Sequence, residues 1–494
     1  MPIPFQRLAD MEPNFRRLLL VTLLYLLPAF QALLPVEDPD LWWHLRTGQW
    51  IIEHGQVPFQ DPFSVYGAGK PWIAYSWLYE ILVYGLFRAF GLVGIVWFTV
   101  VMSLLIAVAI HQLIRRADFP FLLEVALLVI CLASLKPSLS PRPWLFSILF
   151  LALELWLLFG IRRGWKPWVL FLLPPLFLFW ANLHIQFVYG LVVVALFVLD
   201  RVITKHWLGQ TPQDQSLTSS NTLLAVVAAL CILATFVNPY RHLIYQPVFE
   251  YATQSGAFEN IAELHPMFFR SLRDWFVLFL LGAAAFGLGW QRRWSIFTLA
   301  LLMTSAFFAF RARRDAWFLV IVAAAVIAEW EIAFPSRDRI RFTRGMIVTI
   351  VLGCLAALCG LSIFRDISER ALEKTVESQF PVGAAKFTRA RGYQGPLYNH
   401  LDWGGYLIWA LPDVPVAMDG RTNLHGDERL KRSLRTWEGA QGWDTDPELS
   451  GARLIIAEQR RPLTALLRKD SRFTLVYEDE TAVVFIALVN QSTS

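Results

Sequence analysis

Charged side chains are scarce in this chain of 494 residues. Asp, Glu, Lys and Arg together make up 17% of it, and hydrophobic residues make up 56%. A soluble protein usually carries about a quarter charged residues. The composition therefore excludes an ordinary soluble enzyme. The net charge of +5 is divided among short basic clusters without interleaved aromatics, so we expect no nucleic-acid partner.

Cysteine is also rare, and its placement excludes two kinds of stabilising site. The four cysteines lie in apolar segments, and none stands at metal-ligand spacing from a histidine: Cys131, Cys231, Cys354 and Cys359. We therefore expect neither a disulfide framework nor a zinc site. The sequence has no glycine-rich phosphate loop and no internal repeat. Its first apolar block lacks a convincing cleavage site, so we interpret that block as a retained helix.

Long apolar runs, by contrast, recur along the chain. Examples are Leu18–Leu34, Leu170–Trp180 and Leu299–Phe310. With their flanks such runs reach the roughly 17–25 residues that a spanning helix needs. The 21 tryptophans suit aromatic belts at two membrane interfaces. The predicted fold is mostly α, a polytopic bundle of about eleven transmembrane helices with a C-terminal α/β domain.

Basic clusters between the apolar runs give the bundle an orientation, because cytoplasmic loops are enriched in Lys and Arg. The clusters mark alternate junctions: Arg16–Arg17, Arg115–Arg116, Arg162–Arg163, Arg201–Lys205, Arg292–Arg293 and Arg337–Arg344. They predict a cytoplasmic N-terminus, a membrane module over residues 1–365 with a first outer loop at 36–76, and an extracytoplasmic domain over 366–494. A separate crossing by Trp72–Phe90 would reverse this order, so we expect that segment to extend the second span or to lie at the interface.

The first outer loop carries acidic residues that a reaction at this face would need. Asp38 followed by Pro39 predicts a helix start, and Asp40 and His44 are neighbours on the helix surface. Sugar transfer to a hydroxyl needs a base near the attacking oxygen, and an aromatic face such as Trp43 can support a sugar. The structural alternatives are a helix cap for Asp38, a solvated loop carboxylate for Asp40 and a place in an aromatic belt at the membrane interface for the tryptophan.

One basic cluster breaks the orientation pattern. Arg311, Arg313 and Arg314 fall at the outer end of a predicted hairpin, where charge at membrane depth is costly and usually functional. Arginine suits phosphate because its planar fork can bond two oxygens at once. We therefore predict phosphate or sugar contacts for Arg311 and Arg313. The alternatives are a misplaced hairpin, or arginines satisfied by Asp315 and lipid headgroups.

Further polar groups fall on the same predicted face. They are Arg142, His184, Tyr240, Arg241, Glu263 and His265. A binding site there needs such convergence, so we predict substrate contacts for the first four, together with His44 and Trp43. Structural alternatives are a turn between prolines at Arg142 and a hydrogen-bonded core histidine at His184.

From about Asp366 the sequence has the texture of a soluble domain. Ser368–Ser378 predicts a helix. Five segments predict strands: Pro396–Asn399, Val414–Met418, Arg453–Ala457, Phe473–Tyr477 and Ala482–Leu488. The phrases Trp403-Gly404-Gly405 and Asp419-Gly420-Arg421 predict turns or, alternatively, a carbohydrate-binding or acceptor-guiding surface over the membrane site.

Several of these phrases resemble a known superfamily, the polytopic glycosyltransferases of the C-type fold (GT-C), which use polyprenyl- or dolichyl-phosphate sugars. Asp40, His44 and Gly48 match the spacing with which the first outer loop of that superfamily opens. Here Asp38-Pro39-Asp40 replaces the usual Asp-Glu pair. The sequence has a closer resemblance to a group of bacterial membrane proteins that is assigned to this fold. Its recurring phrases stand here as Asp40–Leu45, Trp180–His184, Asn238–Tyr240, Trp403–Leu407 and Asp419–Arg421.

The resemblance implies a glycosyltransferase embedded in the lipid of a bacterial cytoplasmic (inner) membrane. It would move a sugar from a polyprenyl-phosphate donor to a glycan, lipid or protein acceptor at the outer face, with inversion. Asp40 is the implied general base, and Asp38 is the second candidate. No cofactor is required because a lipid phosphate leaves readily, although the two aspartates can hold a divalent metal. Two alternatives stay open: a non-catalytic assembly protein that kept the fold, and a lipid or polysaccharide transporter.

Overall fold

The computed structural model describes residues 13–206, 221–291, 295–330 and 343–488. The polar stretch from His206 to Asn221, which the sequence predicts as a cytoplasmic loop, lies outside the described residues apart from its two ends. Several arginines of the orientation pattern also lie outside them, namely Arg7, Arg292, Arg293, Arg337, Arg339 and Arg341.

The membrane module is a bundle of apolar helices with shorter helices at one end. Its helices are α1 (Pro13–Ala32), α2 (Asp40–His54), α3 (Trp77–Ile114), α4 (Phe121–Leu135), α5 (Trp144–Arg162), α6 (Leu173–Leu183), α7 (Phe187–His206), α8 (Asn221–Thr235), α9 (Gln246–Thr253), α10 (Ser255–Asn260), α11 (Leu272–Gln291), α12 (Ile296–Arg311), α13 (Ala316–Ile327) and α14 (Arg344–Phe364). Among the described residues, six helices are long and apolar enough to cross a membrane, and four apolar helices are shorter. The expected polytopic helical fold is confirmed, while the count of eleven spans stays a prediction.

Helix α3 contains the segment whose separate crossing was in question. Its backbone breaks at Gly91, where φ is 63° and ψ is −154°, so Trp77–Phe90 and Leu92–Ile114 form two helical segments. In the first segment, the Phe87 ring packs edge-on against Trp409 of the C-terminal domain, with centroids 5.4 Å apart. Whether this segment extends the second span or lies at the membrane interface stays a prediction.

Helix α2 lies in the first outer loop and begins where the sequence predicts. A carboxylate oxygen of Asp38 accepts a hydrogen bond from the backbone N–H of Asp40 at 3.0 Å, which satisfies a free amide at the helix start. Leu41 and Leu45 are fully buried, whereas Ile52, seven residues after Leu45 on the same face, is 45% exposed. The last turn of α2 extends beyond the elements that cover its earlier turns.

The C-terminal domain combines short helices with one small sheet. Its elements are α15 (Glu369–Gln379), α16 (Val382–Arg391), α17 (Leu401–Ala410), α18 (Thr422–His425), α19 (Asp427–Trp437), α20 (Pro447–Ser450), α21 (Pro462–Leu467), β1 (Leu397–Asn399), β2 (Leu454–Glu458), β3 (Phe473–Glu478) and β4 (Ala482–Ala487). The strand order is β1-β2-β4-β3, in which β1 and β2 are parallel and the other neighbours are antiparallel.

The predicted strand at Val414–Met418 does not join this sheet. Val416 pairs instead with the first outer loop. Its N–H donates to the carbonyl of Phe63 at 3.1 Å, and its carbonyl accepts from the N–H of Val65 at 3.0 Å. The sequence showed a β-favouring segment but not its partner, which lies far earlier in the chain.

A buried ion-pair network fastens the same contact. The guanidinium of Arg421 donates to Asp61 of the outer loop at 2.6 Å and to Asp419 at 2.7 Å and 2.8 Å. The three side chains are at most 2% exposed. Because a buried charge without a partner is strongly destabilising, each of the three residues requires the others. The phrase Asp419-Gly420-Arg421 therefore holds the outer loop against the C-terminal domain.

Candidate functional site

The described residues enclose a cavity of about 670 Å³ between the bundle and the C-terminal domain. Its wall includes the first turn of α2, the N-terminal ends of α5, α7 and α13, and the C-terminal ends of α6 and α12. Helices α9 and α10 and the start of α17 complete it. These ends meet at one end of the bundle, the end that the arginine pattern predicts to be outside. The volume is typical of a small-molecule site.

Arg142 is the centre of an acidic cluster in this wall. Its guanidinium donates to Asp38 and to Glu263 at 3.4 Å, and it forms an ion pair with Asp40 at 2.9 Å. Burial alone would lower the pKa of Arg142, but the three carboxylates outweigh it and raise that pKa well above its ordinary value. The charge on Arg142 is therefore permanent.

Asp40 faces the cavity at the start of α2. Its other carboxylate oxygen accepts a hydrogen bond from the indole N–H of Trp43 at 3.1 Å. Burial raises the pKa of Asp40 to about 6, and Asp38 and Glu263 add to the increase against the opposing charge of Arg142. At neutral pH such a carboxylate is mostly ionised and more basic than an ordinary aspartate, as suits a general base.

His44 lies one turn further along α2 and also lines the cavity. Its Nδ1 is 3.3 Å from a carboxylate oxygen of Glu80 on α3. Burial, together with the charge of Arg142 and the neighbouring His184, holds the pKa of His44 well below its ordinary value. The imidazole is therefore neutral, with one nitrogen held by Glu80 and the other able to serve a ligand.

Two arginines at the turn after α12 line another part of the wall. Nη1 of Arg314 is 3.5 Å from Glu263, and its buried Nε has no hydrogen-bond partner among the described residues. Arg311 lies over the ring of Phe258 at 4.6 Å and donates to the carbonyl of Ala252 at 3.1 Å. In the part of the chain that the structure describes, no carboxylate forms an ion pair with Arg311. Both arginines keep capacity for an anionic ligand.

Two glycines of the C-terminal domain lie directly against α2. A Cβ atom on Gly420 would fall 2.0 Å from an oxygen of Asp40, and one on Gly405 would fall 2.5 Å from the carbonyl oxygen of Pro39. Both separations are far below van der Waals contact, so the approach requires glycine. The two glycine phrases of the sequence therefore bring the C-terminal domain into the wall beside Asp40.

Comparison with known proteins identifies the fold. No family model matches the chain, and no curated protein matches it. The crystal structure of the oligosaccharyltransferase from Archaeoglobus fulgidus in the apo form aligns with 97% of this chain and 75% of its own, with 11% identity and a TM-score of 0.57. The chain shares the fold of this oligosaccharyltransferase, which supports the fold expected from the resemblance. The structure of ArnT from Cupriavidus metallidurans bound to undecaprenyl phosphate aligns with 98% of this chain and all of its own, with 12% identity and a TM-score of 0.44.

Within this fold, six of the predicted site residues line the cavity: Asp40, Trp43, His44, Arg142, His184 and Arg311. Asp38 is bound by Arg142 without lining the cavity. The remaining three, Tyr240, Arg241 and Arg313, also lie outside the lining. The hydroxyl of Tyr240 donates to the carbonyl of Pro58 at 2.7 Å and accepts from the N–H of Ala74 at 3.1 Å, which ties down the first outer loop.

His184 is a hydrogen-bonded core histidine that also lies in the cavity wall. Its Nδ1 forms a hydrogen bond with the hydroxyl of Ser147 at 2.7 Å, and that hydroxyl accepts from the indole of Trp180 at 2.7 Å. The ring is thus fixed in the core while it also lines the cavity. Its contact with a substrate stays a prediction.

Two residues of the site were not predicted from the sequence. Arg314 lines the cavity where Arg313 was expected. Helix α12 ends at Arg311, Ala312 is extended, and a 3₁₀ turn follows at Arg313–Asp315. This break in the backbone, which the sequence did not indicate, interrupts the helical spacing between Arg311 and the two arginines. Glu80 was missed as the partner of His44. An acidic residue inside a long apolar helix is unusual enough to have marked it.

Proposed function

We propose that this chain transfers a sugar from a polyprenyl-phosphate donor to an acceptor hydroxyl of a glycan, lipid or protein, with Asp40 as the general base. One observation carries the proposal: a carboxylate of raised pKa and two arginines with capacity for an anion line a single cavity. The fold shared with an oligosaccharyltransferase supports the reaction class. Because one fold can serve many functions, the proposed chemistry rests on the residues of the cavity.

The proposed reaction uses groups that the cavity holds. As the acceptor oxygen attacks the anomeric carbon, its proton passes to Asp40 and a new C–O bond forms. The bond between the anomeric carbon and the phosphate oxygen breaks, and the electron pair leaves on the lipid phosphate. Arg311 and Arg314 would stabilise the growing negative charge. Attack from the side opposite the leaving group gives inversion.

Aromatic and imidazole side chains would hold the donor between these charged groups. The cavity is lined by Trp43, Tyr189, Tyr251, Phe258 and Phe308. Aromatic faces pack well against the apolar side of a sugar or an isoprenoid unit, and tyrosine adds a hydroxyl. We propose hydrogen bonds from His44 and His184 to sugar or phosphate oxygens.

A turnover assay tests the proposal. Purified protein should release free polyprenyl phosphate from a labelled lipid-linked sugar. Asp40→Asn should lower turnover about 100-fold or more, since general-base catalysis contributes on that order. Glu53→Gln is a matched control, because this carboxylate lies on the same helix and is 47% exposed. Near-normal turnover of Asp40→Asn would exclude Asp40 as the base.

A non-catalytic assembly protein is the second candidate, and one observation favours it. Both oxygens of Asp40 already have partners, one in Trp43 and the other in Arg142, as in a purely structural carboxylate. This alternative predicts that the protein binds a polyprenyl-phosphate sugar without turnover. Lack of release across a panel of donors, with binding retained, would support it.

We propose that the cavity opens at the outer face of a bacterial cytoplasmic membrane. The basic clusters at Arg115 and Arg162 support this orientation, because they lie at the opposite ends of helices that start or end near the cavity. A cysteine in place of the exposed Ser471 should react with a membrane-impermeant maleimide in intact cells. The parent protein, whose described cysteines lie in apolar helices, is the control. Labelling only after lysis would reverse the orientation.

A further inference from the structure

Arg142 joins three carboxylates that come from separate parts of the chain. Asp38 and Asp40 belong to the first outer loop, and Glu263 belongs to a 3₁₀ turn after α10. The guanidinium reaches all three, and its side chain is 15% exposed. One internal cation thus organises the acidic side of the cavity.

Such a set of carboxylates raises the question of a divalent metal. Carboxylate oxygens are the ligands that Mg²⁺, Mn²⁺ and Ca²⁺ prefer, and a metal can stabilise the charge of a leaving phosphate. These ions need their ligand oxygens at about 2.0–2.6 Å. In this cluster the oxygens are arranged around a guanidinium, and among the described residues no group of three His, Cys, Asp or Glu side chains is placed to hold a metal.

A divalent ion therefore does not fit the cluster while Arg142 is in place. An ion bound by Asp40 would lie against a permanent positive charge whose nearest donor is 2.9 Å from that carboxylate. It would also have to take over oxygens that now accept hydrogen bonds from Arg142. Repulsion and lost hydrogen bonds both oppose metal binding.

We propose that Arg142 occupies the place of a divalent cation, so that the cluster binds no metal and the transfer reaction, which rests on the proposed function, proceeds without one. Arg142 is then a positioning residue. It holds Asp40 toward the cavity and balances the charge of Asp38 and Glu263. Arg311 and Arg314, which have hydrogen-bond donors available, contact the leaving phosphate.

The same reasoning gives a gain of binding when the guanidinium is removed. In Arg142→Ala, Asp38 and Asp40 lose their cation, and Glu263 keeps only Arg314 at 3.5 Å. The three carboxylates then form an acidic site at the cavity wall, in which Arg314 is the one cation still paired among the described residues. A divalent cation is the ligand that such a site attracts.

Manganese binding tests this inference on the purified full-length protein, because Mn²⁺ gives an electron paramagnetic resonance signal that weakens on binding. We expect no stoichiometric Mn²⁺ site in the wild type and one site in Arg142→Ala, which Glu263→Gln added to that variant should remove. Arg163→Ala is the matched control, since Arg163 pairs with Glu329 at 3.0 Å far from the cavity, and it should gain no site.

Three results would overturn the inference. They are a stoichiometric Mn²⁺ site in the wild type that Glu263→Gln abolishes, a folded Arg142→Ala without a new site, and a transfer activity that EDTA removes and Mn²⁺ restores. The binding measurement needs no turnover, so it decides the role of Arg142 even if the proposed transfer reaction fails. If Arg142→Ala does not fold, the wild-type titration still decides.

Discussion

Replacing Gly420 by alanine should damage the site through a single contact. A Cβ atom at this position would fall 2.0 Å from an oxygen of Asp40 and 3.1 Å from its carboxyl carbon. Gly420 is not among the glycines with positive φ, so alanine does not strain the backbone there. The overlap falls on the end of one side chain, and the Asp40 carboxylate is the group that must move.

The size of the movement follows from the geometry. Restoring even a 3.0 Å separation requires a shift of about 1 Å from the present 2.0 Å. A shift of that size would weaken the ion pair between Arg142 and Asp40 at 2.9 Å and the hydrogen bond that Asp40 accepts from Trp43 at 3.1 Å. Misplacing a reacting group by about 1 Å can cost about 100-fold in rate, whereas a single overpacked methyl group costs about 1–3 kcal/mol of stability.

We therefore expect Gly420→Ala to lower kcat for sugar transfer by about 100-fold and to leave the KM for the donor nearly unchanged, because Arg311 and Arg314 are not displaced. Gly85→Ala is the matched control, since a Cβ at Gly85 would meet no heavy atom within 4 Å. Steady-state kinetics and thermal unfolding should be measured on both variants. A Gly420→Ala protein with near-wild-type kcat would refute the role given to Asp40.

Three further predictions test other parts of the site. Because the pKa of Asp40 is raised to about 6, kcat/KM should be constant above that pH and fall about tenfold per pH unit below it. Glu263→Gln should move the acidic limb of this profile to lower pH, because Glu263 contributes to the raised pKa of Asp40. Arg421→Met should lower the free energy of unfolding by about 3–5 kcal/mol, because Asp61 would stay buried without its partner, and a thermal melt unchanged from wild type would contradict this. Arg311→Ala should raise the KM for the donor about tenfold or more through loss of a charged hydrogen bond, while Arg313→Ala, outside the cavity lining, should not; equal effects of the two would contradict the assignment.

The membrane module could be predicted because its signals are local. Apolar runs of spanning length and basic clusters at alternate junctions determine helical hairpins without knowledge of distant residues. The signal for the start of α2 was equally local, since Asp38 and the amide of Asp40 that it accepts from are two residues apart. The exposed Ile52 shows the limit of such signals, because helical periodicity places it on the face of the buried Leu45 but does not show how far the covering elements extend.

The constellation around Arg142 could not be predicted, because its contacts are distant in the sequence. Asp38 lies 104 residues from Arg142, and Glu263 lies 121 residues from it. A turn between two prolines explained Arg142 locally, and nothing in that turn indicated three acidic partners. The strand expected at Val414–Met418 failed for the same reason, since its hydrogen-bonding partner is the first outer loop rather than the sheet.

Two adjacent residues of the C-terminal domain contact the first outer loop and the candidate site, respectively. Arg421 fastens the first outer loop through Asp61, and Gly420 forms the wall against which Asp40 rests. Movement of the domain away from the bundle would break the buried ion pairs and remove that wall at the same time. In the proposed reaction, Asp40 would therefore be positioned as the base only while the domain contacts the bundle, and an acceptor that entered between them would meet Asp40 and the domain surface together.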